Sequence, residues 1–179
     1  MDDFEAGAGK WEFTTGLAHT VVSDGTQVLK LTETAGEYAL AVPVGNPPTW
    51  TDMTVEARVK VLSITSGDSG NVVAICARLS GVSSFYYFAV QSDGKGKIKL
   101  NNGSNTSLSS SIDFGFTVNT WYTMKLQVVG NTLTAFINGA QVGTPYVATD
   151  ADKMLPGGGF GLLVRRGDAV FDDVVVRAP

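Results

Sequence analysis

The chain has a single cysteine, Cys76, and a single histidine, His19, in 179 residues. One cysteine excludes an internal disulfide and a zinc cluster, so stability must come from a packed core or another bound metal. Charge is also scarce: 17% of residues are charged and the formal net charge is −4. Nothing in that balance pulls the chain toward nucleic acid or an anionic membrane, and neither is expected as a partner. No apolar run approaches the ~20 residues of a membrane span. A convincing amphipathic helix is missing throughout, since turn signals or β-rich runs interrupt every candidate window. His19 sits in a strand-like segment with no nucleophile or acid at a recognisable spacing, and no closely spaced carboxylate pair of the glycosidase kind occurs within a strand. Cys76, set among apolar residues, reads as inert.

What the chain does have is alternation and glycine, 21 of them. The length suits one domain spanning 1–179 with a substantial core. From Trp121 to Val128, Tyr122, Met124, Leu126 and Val128 point one way while Thr123, Lys125 and Gln127 point the other. That period of two marks a half-buried strand. Gly130-Asn131 turns the chain, Leu133, Ala135 and Ile137 resume the alternation, and Asn138-Gly139 is a strong hairpin turn because both residues tolerate positive φ. Three strands joined by tight turns make a meander.

Other segments read the same way. Val55, Ala57, Val59 and Val61 share one face of a strand whose other face carries Thr54, Glu56, Arg58 and Lys60. Val73, Ile75, Ala77 and Leu79 alternate with Val72, Ala74, Cys76 and Arg78, a set that suggests a shallow surface. In Ser84–Gln91, Tyr86, Phe88 and Val90 are assigned to the core and Phe85, Tyr87, Ala89 and Gln91 to the opposite side. Asn46-Pro47-Pro48 should end an early strand, because proline cannot donate to a ladder. Asn101 to Ser111 reads as a hairpin or a mobile loop. About twelve short strands at sandwich spacing predict an all-β fold, an antiparallel two-sheet β-sandwich of jelly-roll type.

One candidate surface follows from these faces. Arg58, Lys60, Arg78, Tyr87, Gln91, Lys125 and Arg165 would form a broad basic-aromatic face if their strands are neighbours in one sheet. A guanidinium can grip a carboxylate with two hydrogen bonds and a tyrosine can lie against a sugar ring, which suits an acidic polysaccharide such as polygalacturonate. The plainer reading is that cross-strand pairs, Glu56 with a facing Lys or Arg for example, solvate an exposed sheet. Trp50, beside Pro47-Pro48, and Tyr146 are further candidates for stacking on sugars, whereas Trp11 and Trp121 are expected to close the ends of the core.

Four pieces in order carry a family resemblance: Asp2-Asp3-Phe4-Glu5 with Trp11, Thr54 to Lys60, Trp121-Tyr122 running to Asn138-Gly139, and Gly161-Leu162 leading to Phe171-Asp172-Asp173-Val174. Together they resemble a laminin-G/concanavalin-A-like jelly roll over nearly the whole chain. More narrowly they are similar to modules appended to bacterial pectate lyases and other polysaccharide-degrading enzymes. The resemblance implies a secreted, non-catalytic carbohydrate-binding module, linked to a catalytic domain in a larger parent and expected to be a monomer. It favours plant cell-wall or acidic polysaccharide, pectin above all. It also implies a structural Ca²⁺ where the chain ends pair: Glu5, one of Asp172 and Asp173, and a backbone carbonyl near Asp3 are the ligands so implied. Clustered carboxylates need a cation, and oxygen ligands suit calcium; the plainer reading is that these acids cap turns. Chain organisation agrees with a module, since the acidic motif follows Met1 directly, as in a piece cut from a longer protein. The enzyme alternative is a small jelly-roll polysaccharide lyase using Tyr87, Arg78, Gln91 and a histidine; an adhesive or structural module is the third.

Overall fold

Among the described residues fourteen strands form, against about twelve suggested by the alternation. The computed structural model describes residues 1–14, 16–45 and 49–179. The expected strand stop at Asn46-Pro47-Pro48 lies outside the described residues. In the first half of the chain the strands are β1 (Trp11–Phe13), β2 (Ala18–Asp24), β3 (Thr26–Glu33), β4 (Ala39–Pro43), β5 (Met53–Ile64), β6 (Val72–Gly81) and β7 (Ser84–Gln91). The second half adds β8 (Gly96–Asn102), β9 (Asn105–Ser107), β10 (Trp121–Val129), β11 (Thr132–Ile137), β12 (Ala140–Val147), β13 (Gly159–Arg165) and β14 (Gly167–Arg177). A single 3-10 turn, Ala151–Lys153, is the only helix among the described residues. No helix there is long and apolar enough to cross a membrane.

The strands divide into two antiparallel sheets of seven. Sheet I has the order β1-β4-β13-β6-β7-β8-β9 and sheet II the order β12-β11-β10-β5-β14-β3-β2. The jelly-roll sandwich expected from the alternation is therefore present. β10, β11 and β12 form the predicted meander at one edge of sheet II, and Asn138 (φ 50°) with Gly139 (φ 81°) makes its turn. Asn101 to Ser111 resolves as a hairpin, with β9 paired to β8.

The period-two faces meet between the sheets. Val55, Ala57, Val59 and Val61 pack with Val73, Ile75, Ala77, Tyr86, Phe88, Tyr122, Met124 and Leu126 in one core. His19 stacks on Phe13 with ring centroids 3.6 Å apart, a structural contact between the edge strands of the two sheets. At the chain ends, Asp2 and Val174 exchange both backbone hydrogen bonds at 2.8 Å, so the termini pair as expected.

Sheet I departs from expectation on its outer face. Leu40, Val72, Ala74, Cys76, Phe85, Tyr87, Ala89 and Leu163 form a second buried apolar cluster there. The Val72–Cys76 side of β6 is a packed layer and not a shallow surface. Small side chains let the Phe85 and Tyr87 rings settle against the sheet, and Tyr38 from the β3–β4 loop closes over Tyr87 at 6.3 Å. Burial pushes the Cys76 thiol well above its ordinary value, in keeping with an inert cysteine.

Candidate functional site

The basic-aromatic face is split between the two sheets. β5 and β10 are neighbours in sheet II, so Arg58, Lys60 and Lys125 do share one outer face. β6, β7 and β13 belong to sheet I, so Arg78, Tyr87, Gln91 and Arg165 stand on the other side of the sandwich. Alternation gives each residue a side of its own strand but does not say which strands share a sheet, and that is where the single-face expectation fails.

On sheet II the cations are matched by acids. Arg58 Nη1 lies 3.2 Å from Asp172 Oδ2 and 3.5 Å from Asp173 Oδ2. Lys60 pairs with Asp24, Lys30 with Asp168 at 3.1 Å, and Arg177 with Glu56 at 3.4 Å. Trp121 is half-buried on this outer face and does not close the core end. Its ring lies 4.6 Å from the Arg58 guanidinium carbon and 5.2 Å from Lys60 Nζ. Lys125 faces Glu56 across the strands, with its ammonium 4.1 Å from the Phe136 ring centroid. The plainer reading of this surface, a solvated and internally paired sheet, matches the geometry.

The sheet I candidates are covered over. Tyr87 is fully buried, its hydroxyl donating to Asn105 Oδ1 at 2.6 Å. Burial, reinforced by Tyr38, pushes its phenol far above the ordinary value. Gln91 is 2% exposed and donates to the Ser69 carbonyl. Arg165 donates to Gly36 O (2.8 Å), Asp68 Oδ2 (3.1 Å) and Asn71 Oδ1 (3.1 Å), its guanidinium 5.4 Å from the Tyr38 ring. The β5–β6 loop that carries Asp68 and Ser69 thus folds over the face and seals it. Lys99, which the alternation did not single out, is 2% exposed beneath that loop. Its Nζ donates to Ser69 O at 3.2 Å and lies 5.8 Å from the Tyr87 ring centroid. Burial pulls this amine down to about 8, with Lys97 adding to the effect.

Arg78 is corrected most sharply. A β-bulge interrupts β6 beyond Ala77, and Arg78 takes φ 49°, which re-aims its side chain off the face toward one end of the sandwich. There it donates to Thr51 O (2.6 Å), Leu155 O (2.7 Å) and Gly130 O (2.6 Å), with Asp52 at 3.6 Å. Three loop carbonyls are held by one guanidinium that is only 4% exposed. The lyase set therefore does not converge: Arg78 is a structural clamp, Tyr87 and Gln91 are sealed, and His19 is on an edge strand of the opposite sheet.

Beside this clamp the structure builds an open groove around Trp50, one of the sequence candidates. Trp50 is half-buried and exchanges both backbone hydrogen bonds with Gly158 at 3.0 Å. A side chain on Gly157 would bring its Cβ to 2.7 Å from Trp50 O, and one on Gly158 to 2.5 Å from the Arg78 backbone, so this approach requires glycine at both positions. With Arg78 bonded to Thr51 O next in sequence, the Trp50 backbone is fixed on both sides. A cleft of about 250 Å³ is lined by Trp50, Trp11, Phe160, Pro43, Asp2 and Lys10 together with Met1, Val174 and Val176. The Trp11 ring packs edge-on to Phe160 at 6.0 Å, and its Nε1 donates to Asp2 Oδ2 at 2.7 Å. Sequence reasoning found Trp50 but missed Phe160 and the glycines; the run Gly157-Gly158-Gly159 was the available signal of a close backbone approach. Tyr146 lies elsewhere, with Ser109, Ser110, Ser111, Asp113 and Thr144 around a cleft of about 480 Å³ on the β12 flank.

The acids of the calcium expectation are partly brought together. Glu5 Oε1 accepts from Gln27 N at 2.9 Å and Asp172 Oδ2 from Thr26 Oγ1 at 3.1 Å, so both carboxylates reach the first two residues of β3. Asp3 turns instead to the Glu5 amide at 3.3 Å and Asp173 faces Arg58. Asp172 is 2% exposed and its carboxyl is pushed up by burial, against the Asp173 amide and Thr26 hydroxyl that stabilise its charge. Among the described residues no group of three or more His, Cys, Asp or Glu side chains converges on a metal position. Glu5 and Asp172 thus come to adjacent residues of β3, but Asp172 is already paired with Arg58 and no convergent set of donors forms among the described residues.

Residues 33–176 match the family model described as the concanavalin A-like lectin/glucanases superfamily. The chain belongs to that family. No curated protein matches it. Among solved structures it is similar to the carbohydrate binding module CBM66 from Bacillus subtilis, at 16% identity and a TM-score of 0.73 over 94% of this chain and 96% of that one. The GH43 protein BlXynB from Bacillus licheniformis matches at 12% identity and a TM-score of 0.69, over 99% of this chain but 39% of that one. The exoplasmic/lumenal domain of VIP36, in a Ca²⁺/Man-bound form, matches at 12% identity and a TM-score of 0.63 over 95% and 83%. At such identities the likeness establishes the shared fold.

Proposed function

We propose that the protein is a secreted, monomeric, non-catalytic carbohydrate-binding module that holds a covalently linked polysaccharide-degrading enzyme on plant cell-wall polysaccharide. The observation that carries this reading is the Trp50 groove. It is an open cleft with aromatic walls from Trp50, Trp11 and Phe160 and polar groups from Asp2 and Lys10 at its edge. Sugar rings present flat C–H faces to aromatics and hydroxyls to such polar groups, and ligand sites combine these two features. The match to CBM66, and the match to a 39% portion of a longer GH43 protein, support a binding module within a larger parent. Linkage would raise the enzyme's effective concentration on the polymer without any new contact.

Pectin was expected from the basic face and from the family resemblance. Because Arg58, Lys60 and Arg177 are paired with acids there, polygalacturonate becomes one arm of the test. Affinity electrophoresis against pectic and neutral cell-wall polymers should retard the protein on at least one of them. Sustained release of unsaturated product from polygalacturonate, followed by ultraviolet absorbance, would overturn the non-catalytic reading in favour of a lyase.

A structural Ca²⁺ is part of the proposal, supported by Glu5 and Asp172 reaching adjacent residues of β3, Gln27 and Thr26. Those two carboxylates would hold it with a backbone carbonyl near Asp3, its role being to neutralise charge where the termini pair. Chelation with EDTA should then lower the melting temperature by several degrees, since ~1 kcal/mol moves the midpoint by a few degrees at this size. An unchanged melt removes the metal from the proposal.

A further inference from the structure

Resting on the carbohydrate-binding reading of the Trp50 groove, we infer that the groove takes an internal stretch of an uncharged polysaccharide chain, and not a chain end or a polyuronate. The first observation is continuity. The Trp50 cleft of about 250 Å³ shares Pro43 and Phe160 with a second cleft of about 340 Å³, lined further by Glu12, Thr49, Leu79, Ser80 and Gly159. Phe160 therefore stands between two compartments in series, with Trp50 on one side and Ser80 on the other. A site that reads a chain end must close around it, so that the terminal hydroxyls are all met by buried partners. Here the path continues from the Trp50 cleft past Phe160 into the second compartment, which leaves room for further sugar units beyond the one that stacks on Trp50.

The second observation is charge. Lys10 is neutralised by Asp2 at 3.2 Å, which leaves Glu12 as the remaining charged side chain along the two compartments. Arginine lines neither compartment, so no fork-shaped donor is available for a carboxylate. A polyuronate would bring a carboxylate on each unit toward Glu12, and like charges that meet in a partly desolvated groove repel. Chains carrying hydroxyls alone meet no such opposition, and the Glu12 carboxylate can accept hydrogen bonds from them.

The test uses affinity electrophoresis on xylan, glucomannan, galactan, levan and polygalacturonate, then calorimetry with the dimer and hexamer of the retained neutral polymer. Three variants accompany the wild type: Trp50→Ala, Ser80→Arg to fill the second compartment from an exposed position, and Glu12→Lys to reverse the groove charge. The expected result is retention on a neutral polymer and a hexamer bound about 10-fold more tightly than the dimer, a gap of ~1.4 kcal/mol. Ser80→Arg should narrow or remove that gap, and Glu12→Lys should increase retention on polygalacturonate. Absence of retention on every polymer overturns the carbohydrate reading itself. Binding that survives both Trp50→Ala and Ser80→Arg overturns the groove as its seat. Equal affinity for dimer and hexamer, or stronger wild-type retention on polygalacturonate than on any neutral polymer, overturns the internal, uncharged chain while leaving a carbohydrate-binding module intact.

Discussion

The outer faces of the two sheets carry similar residue types and behave differently. On sheet II, Trp121, Arg58, Lys60 and Lys125 stay partly exposed, and their charges are matched by Asp172, Asp173, Asp24 and Glu56. On sheet I, Tyr87, Gln91 and Lys99 are sealed beneath Tyr38, Arg165 and the loop at Ser69. The difference lies in the loops. A face opposite the core becomes solvent or interior according to what folds over it, and the strand pattern itself is the same in both cases.

The comparison breaks most visibly at Arg78, which belongs to neither face. Arg78→Ala should unbind three loop carbonyls, the buried Leu155 oxygen among them, and cost about 3 kcal/mol, lowering the melting temperature by roughly 6–12 °C in a thermal melt. Any loss of polysaccharide retention by this variant should follow from displacement of Trp50, since the guanidinium is only 4% exposed and turned to the loop carbonyls. A melt within a degree of wild type would show that the clamp is dispensable.

Lys99 sharpens the contrast from the sealed side. Its folded-state pKa of about 8 lies below the ordinary lysine value of 10.5, so the unfolded chain binds more protons between those limits. The burden of a charged buried amine is therefore fully present below pH ~8 and is relieved as pH rises toward ~10.5, so that stability gains a positive slope with pH in that window. Lys99→Met should abolish that slope and raise stability near neutral pH by about 1 kcal/mol. Denaturant melts at pH 7 and 9.5 measure it; parallel curves for wild type and variant would place Lys99 in solvent.

The smallest effect belongs to the open side. Lys125→Ala on sheet II should change stability by no more than ~0.5 kcal/mol, as expected for an exposed cross-strand partner. A larger loss in the same melts would mean that sheet II is as tightly bound to its outer layer as sheet I.

Much of the fold was legible because alternation is a local property. Val55 to Val61 and Tyr122 to Val128 announce their inner faces without help from the rest of the chain. Asn138-Gly139 fixes its turn for the same reason. The site was harder to read because it depends on which strands become neighbours and which loops cover them. Nothing in the local pattern of β6 says that a bulge turns Arg78 toward three loop carbonyls, or that Ser69 reaches Lys99 and Gln91. Trp50 was visible as a half-exposed aromatic candidate, but its partner Phe160 lies more than a hundred positions away in sequence, and the bridge to Gly158 together with the Arg78 clamp brings the two segments together.

The central claim is that sugar binding belongs to the end groove and not to either sheet face. It is tested most directly by comparing Trp50→Ala with the triple variant Arg58→Ala/Lys60→Ala/Lys125→Ala on one retained polysaccharide by affinity electrophoresis, with thermal melts confirming that both are folded. The expected result is an affinity loss of about 10-fold or more for Trp50→Ala, equivalent to ~1.4 kcal/mol, with the triple variant close to wild type. Loss of retention in the triple variant, with Trp50→Ala unchanged, would contradict it and return the binding surface to sheet II.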